Sequence, residues 1–383
     1  MSALAPFPIA LRQRWELPAR PRAIVIVGAG GIVNDAHLPA YRACGFEVAA
    51  LHDTDRARAE ATARRFGVPR VLASLDEVFA VRDAIVDVAV PPEAVLGIVE
   101  RATRGAALLI QKPLGRDLAE ATAIRRVCRE KRLVAAVNFQ LRFSPMMLAL
   151  RDAVLRGLLG RVVELEVRVN CRMPWELWPF LASLPRMELA LHSIHYLDSI
   201  RGLLGEPRAV WCRTVKHPDA PKLASSRSTM ILDYADDVRC ALTVNHHHGH
   251  GPRHEASELR VEGLAGAAVG QMGVNLDYPR GRPDFLELAL GRGDVARAHD
   301  WRAVPLEGSW FPDAFRGPMS NLQRFVAGED AELSTSVEDA WRTMQLVEAL
   351  YASDARGGTP LPRDPDPAIP DASARSAARG GPG

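Results

Sequence analysis

The chain has no long apolar run, no paired cysteine motif and almost no net charge. Its 383 residues carry 48 basic and 46 acidic side chains, a formal charge of +2. Acids and bases are interspersed, which excludes a basic stripe for nucleic acid and a cationic patch for a membrane surface. Lysine is scarce, standing only at Lys112, Lys131, Lys216 and Lys222. The amino-terminal stretch is interrupted by Arg12, Arg14 and Glu16 and reads as neither a signal peptide nor a transmembrane helix. Cys44, Cys128, Cys171, Cys212 and Cys240 are odd in number, scattered and without a C-x-x-C pair. Free thiols in a reducing, cytoplasmic compartment are the expectation.

What is present is an alternation of strands and helices. The length suits two domains better than one core. Residues 1–21 read as a Pro- and Arg-containing lead-in. Residues 22–142 alternate near-continuously apolar strands with helices, the pattern of a doubly wound parallel sheet. From residue 143 to 355 the texture changes. Residues 162–170 alternate Val and Leu with Glu and Arg, as a half-buried antiparallel strand does, and more such segments follow. An open, mainly antiparallel sheet flanked by helices is expected there, including a long helix over 187–204. Residues 356–383 hold almost no large apolar side chains and are expected to be a disordered tail.

The first strand ends in Gly28-Ala-Gly30-Gly31-Ile32. A tight turn needs the first glycine, and close approach of a pyrophosphate needs the second. The helix opening near Gly31 then aims its N–H groups at the phosphates. Asp53 closes the next apolar run and can accept hydrogen bonds from the ribose hydroxyls, which favours NAD, with NADP still possible. The third glycine of the fingerprint is replaced by Val33. A strand–helix turn of another α/β protein, with Asp53 a solvated loop acid, is the competing reading.

Three further constellations bear chemistry. Gln111-Lys112-Pro113 follows an apolar strand, whose carboxyl end faces the ligand crevice in such a sheet. There Lys112 can bind or relay the proton of a substrate hydroxyl; a surface lysine is the alternative. Glu188, His192 and His195 fall at i, i+4 and i+7 and share one helix face. His195 can take an alcohol proton, with His192 as orienting or relaying partner. The same spacing admits a metal, but no further strong ligand lies near and none is assigned. A structural helix with satisfied core histidines is the other reading. Arg172, Trp175 and Trp178 form a weaker candidate wall for a sugar, with Glu188. The run from His246 to His250 reads mainly as solvated loop histidines.

These residues together resemble the glucose–fructose oxidoreductase and inositol dehydrogenase (Gfo/Idh/MocA) family over residues 22–352. The carriers are Gly28-Ala-Gly30, His37-Leu-Pro-Ala, Asp53, Pro91-Pro92, Gln111-Lys112-Pro113 and His195-Tyr-Leu-Asp198-Ser-Ile-Arg201 leading to Gly205-Glu-Pro207. Glu262-Gly263 and Gly266-Ala267 are similar to its late sheet motif. The resemblance implies NAD(P)-dependent hydride transfer to or from a sugar, polyol or related hydroxy or keto compound. It implies Lys112 and His195 at the chemistry, His192 beside them, and Gly28, Gly30, Gly31, Ile32, Asp53, Pro91, Gln111 and Lys112 at the cofactor. It also implies a homodimer or homotetramer. Two positions depart from the pattern. Gln111 replaces a glutamate, and Leu191 replaces an aspartate four residues before the histidine. These departures keep a non-catalytic cofactor-binding sensor open, and a glycosidase or lyase of the same family is a third reading.

Overall fold

The computed structural model describes residues 4–177, 179–291 and 300–360. The first layer begins with β1 (Ile24–Val27), a π turn (Val33–His37) and α1 (Leu38–Cys44). The π turn precedes Pro39, which has no N–H to donate and whose ring would clash with the carbonyl four residues back in a regular helix. The order continues with β2 (Val48–His52), α2 (Arg56–Phe66), α3 (Leu75–Ala80), β3 (Ile85–Val88) and α4 (Pro92–Arg101). It ends with β4 (Ala107–Ile110), α5 (Leu118–Glu130) and β5 (Val134–Val137). All five strands are parallel, in the order β2-β1-β3-β4-β5. Every residue of β1, β3 and β4 is buried, as a sheet covered on both faces requires.

A 3-10 turn (Gln140–Phe143) leads into the second layer. α6 (Pro145–Leu155) precedes β6 (Val162–Asn170). A second π turn (Leu189–Ser193) runs into α7 (Ile194–Leu204). Then come β7 (Ala209–Val215), β8 (Arg227–Ala235), β9 (Val238–Asn245), β10 (Ala256–Gly263), β11 (Gly266–Gln271), β12 (Phe285–Leu290) and β13 (Arg302–Ala303). They form an eight-stranded open sheet, β13-β12-β11-β10-β6-β9-β8-β7. All its pairs are antiparallel except β6 with β9. In β6, Leu165, Val167 and Val169 are buried while the residues between them are not. One face therefore packs on α6 and α7, and the other carries cross-strand partners such as Glu166 opposite Arg260 and Arg168 opposite Glu258.

The chain then departs from the expected two-segment division. α8 (Arg316–Val326) returns to the first layer, where Met319 and Leu322 join Ile24, Ile26, Leu109 and Ala136 in one core. α9 (Val337–Arg356) closes the second layer against β7 and α5. The lead-in is docked. Phe7 donates its N–H to Ala303 at 2.7 Å, and the Trp15 indole donates to Asp330 at 2.7 Å. The expected tail lies outside the described residues from 361 onward. No helix among the described residues is long and apolar enough to cross a membrane.

Candidate active site

The carboxyl ends of β1, β3 and β4 are neighbours, so the turns that follow them converge. Gly28 has φ of +105°, and a Cβ there would stand 2.2 Å from the carbonyl oxygen of Ala89. No other residue fits. Gly30 differs, because a Cβ built there meets nothing within 4 Å. The open space lies over a helix that begins at Gly31, with Ile32 half-buried behind it. Asn34 staples the turn by donating to the carbonyls of Ala29 at 3.1 Å and Gly30 at 3.0 Å. Val33, in the third glycine position, is buried in the sheet core.

Asp53 accepts from the Ala29 N–H at 2.7 Å, which ties the ends of β1 and β2 together. Its other oxygen accepts from Arg58 at 2.7 Å and from the Asp55 N–H at 2.8 Å. Burial opposes its charge, but Arg58 and the two N–H groups more than offset that and hold the carboxyl below its ordinary value. Arg58 was not singled out by sequence reading. Its signal is its place one turn into α2, where a guanidinium reaches back to the acid.

Pro91 caps α4 and, with Lys112 and Leu191, lines a cleft of about 1000 Å³ between the layers. The Lys112 ammonium donates to the carbonyl of Leu191 at 2.8 Å. Burial lowers its pKa to about 8. Gln111 accepts from the Lys112 N–H at 2.8 Å, and its amide nitrogen lies 3.1 Å from His37 Nε2. His37 Nδ1 sits 2.7 Å from Asp87, which also accepts from Tyr41 at 2.7 Å. This chain of partners fixes the turn that carries Lys112; His37 belongs to the His37-Leu-Pro-Ala motif, whereas Asp87 is a supporting residue that no sequence spacing reveals.

His192 and His195 lie beside Lys112. His195 packs edge-on against Trp310, ring centres 5.5 Å apart, and its Nδ1 is buried without a hydrogen-bond partner. Burial, then Lys112 and His192, push its pKa well below the ordinary histidine value. His192 is lowered likewise by burial, His246 and Lys112. Both rings are therefore neutral proton acceptors at neutral pH.

The structure corrects four expectations here. Glu188 does not face the cleft. The π turn adds a residue per turn, so Glu188 meets Ser193 at i+5, accepting its hydroxyl proton at 2.5 Å, and it also accepts from Ser228. It is fully buried. His246, one residue past the end of β9, is not solvated. It is 1% exposed, with Nε2 3.5 Å from Glu188 and its ring 4.8 Å from that of His192. Burial opposes its charge, but Cys171 and Glu188 prevail and push its pKa up to about 9. Trp175 is buried edge-on against His192 at 5.2 Å, a packing role behind the histidines. Arg172 stands apart, exposed beside Glu176, because successive strand residues face opposite sides and its neighbour Cys171 points inward. Trp178 lies outside the described residues.

Comparison with known proteins accords with this geometry. The family model described as "Oxidoreductase family, NAD-binding Rossmann fold" matches residues 22–139, and the "GFO/IDH/MocA C-terminal domain" matches residues 147–269. D-apiose dehydrogenase of Paraburkholderia graminis is 26% identical over 341 residues, covering 86% of this chain and 87% of that protein. D-xylose 1-dehydrogenase (NADP(+)) 2 of Haloferax volcanii is 28% identical over 341 residues, covering 87% and 97%. Among solved structures, levoglucosan dehydrogenase in complex with NADH and levoglucosan superposes with a TM-score of 0.74 at 19% identity, covering 88% of this chain and 98% of that one. That last likeness concerns the fold. The glycine turn, the lysine at the end of β4 and the histidine helix thus stand in a chain that belongs to the Gfo/Idh/MocA family of NAD(P)-dependent oxidoreductases.

Proposed function

We propose that the chain interconverts a secondary alcohol and a ketone on a sugar, polyol or related compound, with NAD as the preferred coenzyme. The carrying observation is the convergence of Lys112, His192 and His195, with Lys112 and Leu191 lining a cleft between the layers. The residues fit a dinucleotide: Gly30 leaves its Cβ direction open, and Asp53 stands at the end of β2. When bound, NAD supplies the hydride acceptor. Gly28, Gly30, Gly31 and Ile32 would hold its diphosphate, Asp53 its ribose, and Pro91, Gln111 and Lys112 the nicotinamide end.

The residue roles follow from charge and position. Neutral His195 takes the hydroxyl proton as hydride leaves the carbinol carbon. The Lys112 ammonium stabilises the negative charge that develops on the same oxygen. His192, bracketed by Lys112 and His246, orients the substrate hydroxyl. The dehydrogenase names of the relatives favour turnover over a non-catalytic sensor. The test is a panel of sugars and polyols with NAD and NADP, followed by absorbance of the reduced coenzyme. Reduction with at least one substrate is expected. Coenzyme binding with no reduction across the panel and its keto counterparts would favour the sensor, and cleavage without net reduction would favour the lyase reading.

We also propose that the open sheet face pairs with a second copy. Trp211 and Ile231 are opposite one another on β7 and β8 and are 55% and 46% exposed. Large apolar groups at such exposure mark an association surface.

A further inference from the structure

A second cavity, of about 220 Å³, lies where the lead-in meets α6, α7 and the segment entering α9, and it is lined by Trp15, Arg142, Arg151, Ser199, Glu332 and Asp339. It shares no lining residue with the cleft at Lys112. Its two arginines and two acids are unevenly paired. Arg142 grips Asp198 through two hydrogen bonds, at 2.5 and 2.8 Å, and lies 2.8 Å from Asp339. Asp339 is also 3.2 Å from Arg201. These groups satisfy one another. Arg151 is half-buried and makes no hydrogen bond or ion pair among the described residues. Burial, Arg12 and Arg142 all work against its charge, and Glu332, exposed at the rim, works for it. Ser199 is 4% exposed, and its hydroxyl has no partner.

A guanidinium partly withdrawn from water and flanked by two more is unfavourable unless an anion joins it. Its planar fork matches the oxygens of phosphate or carboxylate. The free hydroxyl of Ser199 supplies a further donor. We propose that this cavity binds a small oxyanion, either free phosphate or the phosphate group of a small metabolite, with Arg151 as its anchor and Ser199 donating to it. The proposal is independent of the redox assignment, since nothing in it passes through the coenzyme.

The test uses the full chain with NADH present, so that the diphosphate site is occupied, and inorganic phosphate and glycerol phosphate as probes. Each is titrated by calorimetry and by thermal unfolding. Saturable binding and a rise of about 2 °C in the unfolding midpoint are expected. Arg151→Gln should weaken binding about tenfold and Ser199→Ala about threefold. Glu332→Gln should tighten it by removing a like charge. Tighter binding of glycerol phosphate would assign the site to a metabolite, and equal binding to the free ion. No saturable binding at millimolar phosphate would overturn the proposal. So would binding that is unchanged in both Arg151→Gln and Ser199→Ala.

Discussion

Lys112 crosses from the first layer to the second, its ammonium 2.8 Å from the carbonyl oxygen of Leu191. One side chain thereby links the end of β4 to the turn that carries His192. Lys112→Ala removes that link and the positive charge proposed to stabilise the reacting oxygen. We expect kcat to fall about 100-fold or more, while the NADH dissociation constant changes less than about threefold. Steady-state kinetics with a fluorescence titration of NADH separates the two. An unimpaired kcat would remove Lys112 from the chemistry.

The proton bookkeeping gives a pH profile. Lys112 loses its proton near pH 8, so a role for its ammonium predicts that kcat/KM declines as pH rises past about 8. His195 must be neutral to accept a proton, and its pKa lies well below the ordinary histidine value. The acid limb should therefore fall below the usual histidine range. A profile with its acid limb near pH 7 would contradict the buried, cation-flanked setting of His195.

Gly28 and Gly30 should separate folding from binding. Gly28→Ala drives a Cβ into the Ala89 carbonyl at a positive φ and is expected to cost about 3 kcal/mol or more of stability. Gly30→Val meets open space, so the fold should persist while coenzyme affinity drops. Thermal unfolding and NADH titration on both variants check the contrast. A stable Gly28→Ala protein would dispute the packing of that turn.

The proposed coenzyme choice rests on Asp53 and Arg58. Asp53 holds Arg58 and, placed at the ribose, would repel a 2′-phosphate. Asp53→Ser releases the guanidinium and is expected to shift the kcat/KM ratio toward NADP by about tenfold or more. Arg58→Ala in that background should reverse the gain.

Glu188 is a structural acid. Glu188→Gln removes one of the two groups, with Cys171, that raise the His246 pKa, and is expected to cost about 3 kcal/mol near neutral pH. The pKa of His246 is raised to about 9 in the fold, so the stabilisation is complete below the unfolded value of about 6.5 and is lost as pH climbs through 9. The difference in stability between the native chain and the variant should narrow over that window. Chemical denaturation at pH 6, 7.5 and 9 measures it.

Much of this was legible in the residues. The five buried strands of the first sheet declare themselves by apolar runs, and the glycine turn by its two glycines and the acid at Asp53. The helix that carries His195 was also evident. The π turn is not legible, because regular α-helical spacing through Leu189–Ser193 places Glu188 on the face of His192 and His195. A run of histidines looks solvated, but the in–out alternation of β9, with Leu242 and Val244 buried, carries one residue past the end of the strand and buries His246. β11 carries little strand signal of its own because Gly266–Gln271 is nearly all small residues, and the apolar face of α8 finds its partner some 200 residues earlier in the chain. Contacts of that kind leave no local pattern.

The return of α8 bears on how such a chain can be divided. Met319 and Leu322 cover the faces of Leu109 and Ala136, so a fragment ending at residue 142 would expose part of its own interior to water. The coenzyme-binding half is consequently not a transferable module. Grafting it onto another partner requires carrying along a helix that the ribosome makes only after the whole second sheet.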